Sequence, residues 1–260
     1  MTKAKVLIAT VAASLSGAAY AKTDVSSTVS NTAAISEAAA VVSRYVVARR
    51  ADLLDPVWTG RRMENGALIS IGREHAKDMP AIAQNAALTS LQVFADDFAI
   101  ARIDDWEKPG VTILTLFKSN GAWRVAGESM ASAACGVREK RFNPSTAASA
   151  VLATLNAYYT GVDQDNPALL ETAHHESWLM KNHENGEVAA EPKDIFAARL
   201  SNGKHNGYAD DRQVADIQII YDCMAYIRID KPSSLGTTVF TFYREDGAWK
   251  IVDKAWSSQK

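Results

Sequence analysis

The sequence predicts an α+β protein of two tandem domains, each a set of helices packed on one face of an antiparallel sheet. Three observations predict it: an internal repeat at a fixed spacing, paired hairpin signals inside each copy, and amphipathic helical periodicity ahead of each copy. The 260 residues are 47% hydrophobic and 22% charged, a balance that excludes disordered, collagen-like and multi-span membrane chains.

The repeat is read by sliding the chain 126 positions on itself. Gln92 then falls on Gln218, Asp96 on Asp222, Arg102-Ile103-Asp104 on Arg228-Ile229-Asp230, and Gly121-Ala122-Trp123 on Gly247-Ala248-Trp249. No gap is needed between Leu88 and Met130, and intervening exchanges keep physical type, as from Ile113 to Val239. A tandem duplication accounts for spacing and chemistry together.

Within each copy, Thr112 to Lys118 and Thr238 to Tyr243 are β-branched and aromatic runs that close on Asn120-Gly121 or Asp246-Gly247. These dipeptides tolerate the positive φ of a type I′ hairpin. One further strand is expected before each hairpin, Leu88 to Ile103 and Val214 to Ile229, making a meander of at least three strands. Upstream, Ala148, Val151, Leu152, Leu155, Tyr158, Tyr159 and Val162 recur at helical spacing after Asn143-Pro144. In the first copy Ile35, Ala39, Val42, Tyr45, Val46 and Ala48 do so after a possible Asn31 cap. A short second helix is expected after Asn166-Pro167, with Leu169-Leu170 inward. Its first-copy partner is read as Leu53-Leu54, and the third helical stretch, Lys193 to Leu200, is paired with Lys77-Asp78. Both pairings lie at an offset of 116, which predicts ten additional residues in the polar run Ser201 to Arg212.

The N-terminus reads as an address. Lys3 and Lys5 precede an apolar stretch and the small-x-small site Ala19-Tyr20-Ala21, so residues 1–21 are expected to be a cleaved signal peptide and the product to be secreted or periplasmic. The expected domains are 22–130 and 144–260, joined by a linker over 131–143. Loss of two lysines takes the formal net charge from −2 to −4, which offers no broad basic field for nucleic acid, and no membrane attachment is expected after cleavage. Cys135 and Cys223 are compatible with one disulfide, or Cys223 with a small buried hydrophobe.

The second half resembles the putative lumazine-binding family of the nuclear transport factor 2-like superfamily. The likeness is carried by Ala157-Tyr158-Tyr159-Thr160-Gly161-Val162, Asn166-Pro167 with Leu169-Leu170, His174-His175, and Asp246-Gly247-Ala248-Trp249-Lys250-Ile251-Val252-Asp253-Lys254. The sequence departs from the pattern at Ala173, where an aromatic normally precedes the histidine, and at Glu176, where proline is common. The first half joins through the repeat. The resemblance implies a nuclear transport factor 2-like cone: a strongly curved sheet wrapped around helices, open at one end. It implies no particular reaction, because the superfamily includes dehydratases, isomerases and binding modules.

Residues 140–260 hold 13 aromatics against 7 in residues 22–139, and four of five histidines. Any ligand pocket is therefore expected in the second cone, and Tyr158, His175, Trp178, Tyr221, Tyr226, Phe240, Phe242 and Trp256 are its candidate lining for a small hydrophobic or aromatic ligand. The competing reading is that these rings fill a core. Adjacent His174 and His175 point apart, so at most one faces the cavity; at a helix end either would serve the dipole. Asp163, Glu171, Glu176 and Asp222 are the available acids, and none carries a catalytic signature. A metal set of His174, His183, His205 and Cys223 lacks ligand spacing. The expected protein is thus a non-enzymatic binder without cofactor or metal. Two alternatives are a dehydratase or isomerase using Asp163 or Asp222 with His175 or Tyr226, and an assembly module using its sheet face. Family cones pair through that face, so two fused copies are expected to form a pseudo-dimer within one monomeric chain.

Overall fold

A computed structural model describes residues 32–83, 85–135, 143–184, 186–202 and 211–258. The expected signal peptide, the Asn31 cap, and parts of the expected linker and of the polar run before the second meander lie outside these residues.

The first half begins with α1 (Thr32–Val47), whose buried stripe is Ala34, Ala38, Val41, Val42 and Tyr45. After a 3-10 turn follow β1 (Leu54–Glu64), β2 (Ala67–Gly72), a second 3-10 turn (Arg73–Asp78), β3 (Ala87–Phe94), β4 (Phe98–Asp105), β5 (Gly110–Ser119) and β6 (Ala122–Ser132). The second half runs α2 (Pro144–Asp163), α3 (Pro167–Ala173), β7 (His174–Glu184), β8 (Glu187–Pro192), α4 (Lys193–Ser201), β9 (Gln213–Ile220), β10 (Met224–Lys231), β11 (Gly236–Glu245) and β12 (Ala248–Ser258). The strand orders are β2-β1-β6-β5-β4-β3 and β8-β7-β12-β11-β10-β9, one topology used twice.

Local chemistry explains the elements that sequence reasoning located. Asn143 and Asn166 cap α2 and α3 by accepting backbone N–H bonds, and each is followed by a proline whose missing N–H is no loss in a first turn. Gly161 lets the two helices meet, since a Cβ there would come within 3.0 Å of Leu170. Asn120-Gly121 and Asp246-Gly247 both take left-handed conformations, as a type I′ turn demands. Strands β3 to β6 and β9 to β12 start at positions 126 apart throughout. Trp123 and Trp249 are each 5% exposed, each in the helix-side core of its own half.

Three expectations are corrected. Leu88 to Ile103 and Val214 to Ile229 are each two strands, because the chain reverses at Ala95-Asp96 and Tyr221-Asp222, which hold positive φ without any glycine to announce it. The sheets are mixed: an unforeseen hairpin, β1-β2 or β7-β8, joins each meander through a parallel pairing with its last strand. The hairpins repeat at an offset of 120, placing Trp58 on Trp178 and Arg61 on Lys181. The dipeptides at 116 are therefore not structural partners, and the additional residues before the second meander number six, not ten.

Each half buries a core between helices and sheet. A third core joins the two sheets through their other faces, with Phe94, Phe98, Ile113 and Phe117 from the first against Ile220, Met224, Tyr226, Val239 and Tyr243 from the second. The contact is isologous: Arg102 donates to Gln218 at 2.7 Å, and its repeat partner Arg228 donates to Gln92 at 2.7 Å. Gln218→Leu and Gln92→Leu should each cost about 1–2 kcal/mol, read as matching drops in urea midpoint, since each leaves a half-buried guanidinium short of an acceptor.

Candidate functional site

In the second cone a cluster of rings fills the space between α2, α4 and the sheet. His174 stacks on Trp178 with centroids 4.3 Å apart, Tyr158 lies 5.3 Å from both His174 and Phe240, and Phe196 lies 5.1 Å from Trp178. Phe242 belongs to the same core, and Trp256 packs on it half-buried. Lys254 reaches in from β12 and donates to the Tyr158 hydroxyl at 3.0 Å. His174 is 3% exposed, and neither ring nitrogen has a hydrogen-bond partner. Burial, then Lys193, Lys254 and Lys250, push its pKa down to about 3.

The first cone holds the opposite charge at the matching place. Glu128, the repeat partner of Lys254, accepts from Tyr45 Oη at 2.5 Å and from Arg49 at 2.6 and 2.8 Å. Arg49 also donates to the carbonyls of Met79 and Pro80, tying the end of α1 to the loop beneath it. Burial still pushes the Glu128 carboxyl and the Tyr45 phenol up.

The predicted lining is thus divided. Tyr158, Trp178, Phe240, Phe242 and Trp256 face the second cone, while His175, Tyr221 and Tyr226 lie on the other face of the sheet, toward the first half. The two histidines do point apart at the end of a helix, where His174 is the C-cap of α3 and also opens β7: His174 takes the cone side, and His175 bonds Ser177 and Glu245. The acids do not enter the cone. Asp163 pairs with Arg212, Glu171 with Lys193 and Asp222 with Arg244, while Glu176 is exposed. No acid named for the dehydratase alternative meets His175 or Tyr226. Cys223 is spent in a disulfide with Cys135, their Cα atoms 5.9 Å apart, and His205 lies outside the described residues. Among the described residues no group of three His, Cys, Asp or Glu side chains is placed to hold a metal.

A cavity of about 570 Å3 opens between the second cone's flank and the first hairpin, lined by Trp178, Leu179, Pro192, Ser177, Thr59 and Arg61, with Glu171, Glu176, Lys193, Asp194 and Ser70 around them. Behind it is a buried ion cluster. Arg61 donates to Asp253 Oδ2 at 2.6 Å and to the Ser177 carbonyl at 2.8 Å, and Lys181 donates to Asp253 Oδ1 at 3.1 Å and Thr59 at 2.7 Å. Burial pushes the Lys181 ammonium down to about 8. Sequence reasoning missed this cluster; the available signal was the cation at the same register of β1 and β7, ahead of Glu-Asn-Gly in both copies.

Residues 146–257 match the family model described as putative lumazine-binding. The second half is similar to that family. The first half repeats the second's topology strand for strand, so the fold is two cones of nuclear transport factor 2-like type in tandem. No curated protein matches it. Among solved structures, a nuclear transport factor 2-like protein of unknown function from Silicibacter pomeroyi is 17% identical with TM-score 0.40, covering 45% of this chain and 99% of its own. A similar protein of unknown function from Shewanella baltica is 16% identical with TM-score 0.40, covering 46% and 99%. A ketosteroid isomerase-like protein from Erwinia carotovora atroseptica is 15% identical with TM-score 0.36, covering 46% and 99%. In both domains the helix-side core is packed with side chains, and the cavity above Trp178 lies mainly on the lumazine-binding-like domain.

Proposed function

We propose that this protein is an exported, monomeric, non-catalytic module whose second domain binds a small, partly apolar molecule against Trp178. The observation that carries this reading is the 570 Å3 cavity. Its volume suits a small ligand, and Trp178, Leu179 and Pro192 give it an apolar patch among polar and charged residues such as Arg61, Glu171 and Lys193. The ligand seat is then the flank of the second cone, with the indole of Trp178 as both core residue and wall, rather than the cone's packed interior. Export is supported by the signal-like N-terminus and by the disulfide, which suits an oxidising compartment. The monomer is supported by the apolar sheet faces covering each other within one chain.

A bound molecule must stabilise the fold, by about 2.7 kcal/mol at a hundredfold excess over Kd. A panel of aromatic and heterocyclic compounds should therefore include some that raise the Tm, and Leu179→Trp, which fills the cavity, should abolish that rise. No shift from any compound at millimolar concentration, or a shift untouched by the filled cavity, defeats the proposal. Light scattering at the dimer mass defeats the monomer, and a cell-associated product retaining residues 1–21 defeats export.

A further inference from the structure

The internal pseudo-symmetry exposes a second pocket. At one seam, where β7 meets the β11–β12 turn, His175 Nδ1 accepts from Ser177 N at 3.0 Å, and Nε2 meets Glu245 Oε2 at 3.1 Å. Accepting at Nδ1 leaves the proton on Nε2, so the imidazole donates to Glu245. Glu245 Oε1 in turn accepts from Leu68 N at 3.0 Å. An imidazole and a carboxylate fill this seam.

At the opposite seam the repeat partner of His175 is Asp55, and that of Glu245 is Ser119. Asp55 keeps the local bond, Oδ1 accepting from Val57 N at 3.1 Å, as His175 does two residues before Ser177. Both side chains are shorter than their partners, and the space that they do not fill is a pocket of about 170 Å3 lined by Asp55, Ser119, Asn120, Arg124, Pro56 and the β8 residues Glu187 and Val188. Asp55 is 1% exposed, yet its Oδ2 has no hydrogen-bond partner, and neither has the buried Nε of Arg124. One pocket wall therefore carries an unmet acceptor and another an unmet donor, each expensive to leave bare. Burial pushes the Asp55 carboxyl up, as that cost requires.

We propose that this pocket binds a small N–H azole, an imidazole-type ring that donates to Asp55 Oδ2 and accepts from Arg124 Nε, restoring the ring that the opposite seam supplies from His175. A neutral azole carries both functions on one planar ring, whereas a simple cation meets Arg124 with like charge and a simple anion meets Asp55 and Glu187. The site is separate from the cavity at Trp178, so either can fail alone.

The test uses the full chain and imidazole itself at pH 8.5, where the free ring is neutral, with 1-methylimidazole as the ring lacking an N–H donor. Imidazole should bind saturably by titration calorimetry and raise the Tm, while 1-methylimidazole binds at least about tenfold more weakly, the loss of one hydrogen bond to a charged group. Asp55→Leu should abolish binding. Ser119→Gln, which fills the pocket from the end of β5 and spares the Asp55–Val57 bond, should abolish it too and keeps the test decisive if Asp55→Leu does not fold. Equal binding of the two azoles, binding that survives Ser119→Gln, or no saturable imidazole binding, as in a pocket holding water only, overturns the proposal.

Discussion

Acid should unfold this protein steeply from about pH 6.5 downward, and His174→Phe should remove most of that sensitivity. An unfolded histidine takes up a proton near pH 6.5, whereas His174 in the native core does so only near pH 3. Between these values the unfolded state binds more protons, so stability falls as pH falls. The contribution is fully present above the unfolded pKa and is lost across pH 6.5 to 3. The full interval corresponds to about 4–5 kcal/mol at 1.36 kcal/mol per unit. His174 has no acceptor that protonation could exploit, and three lysines add their repulsion to burial. Phenylalanine keeps the stack on Trp178 and removes the titration. Urea midpoints at pH 7 and pH 4.5 measure it: the wild-type drop should shrink in His174→Phe, and equal drops in both proteins would show that other groups dominate.

The histidine pair shows how far the sequence could be read. Adjacent side chains alternate in direction in any extended segment, so the separation of His174 from His175 was legible, but not which one faced inward. That assignment follows from the register of β7, and β7 carries no β-branched run or glycine turn of its own on the N-terminal side. The meanders were legible because Asn-Gly and Asp-Gly turns and the repeat of Trp123 at Trp249 report backbone geometry directly. The turns at Ala95-Asp96 and Tyr221-Asp222 were not, because neither contains a glycine, and the residues beside them, Phe94, Phe98, Ile220 and Cys223, pack in the core between the domains. The Arg61–Asp253–Lys181 cluster joins residues up to 192 positions apart across a seam, a distance over which local patterns carry no information. The aromatic excess of the second half was real, but most of those rings pack on one another.

Opening the disulfide should lower stability by about 4–5 kcal/mol, the loop entropy of an 88-residue separation. Cys135 follows the last strand of the first domain, and Cys223 follows the Tyr221-Asp222 turn of the second, so the bond staples one domain's exit to the other's β9–β10 hairpin. The repeat makes its own control. Cys223 falls on Asp97, which holds the β3–β4 hairpin to the second domain without a covalent bond, through His183 Nδ1 at 2.9 Å and Ser257 Oγ at 2.8 Å. Two equivalent hairpins are thus docked by different chemistry, and their costs of removal should differ accordingly. Asp97→Ala forfeits hydrogen bonds to a partly solvated carboxylate, about 1.5–3 kcal/mol. Cys135→Ser forfeits the constraint on the unfolded chain, which acts through that chain's entropy and so leaves the native far-ultraviolet spectrum unchanged. Guanidinium midpoints of wild type, Cys135→Ser and Asp97→Ala, each with and without reductant, separate the two. Reductant should shift wild type and Asp97→Ala but leave Cys135→Ser where it is. If reductant leaves wild type unmoved, the disulfide adds nothing to the apolar sheet faces and the polar bonds that join the two domains.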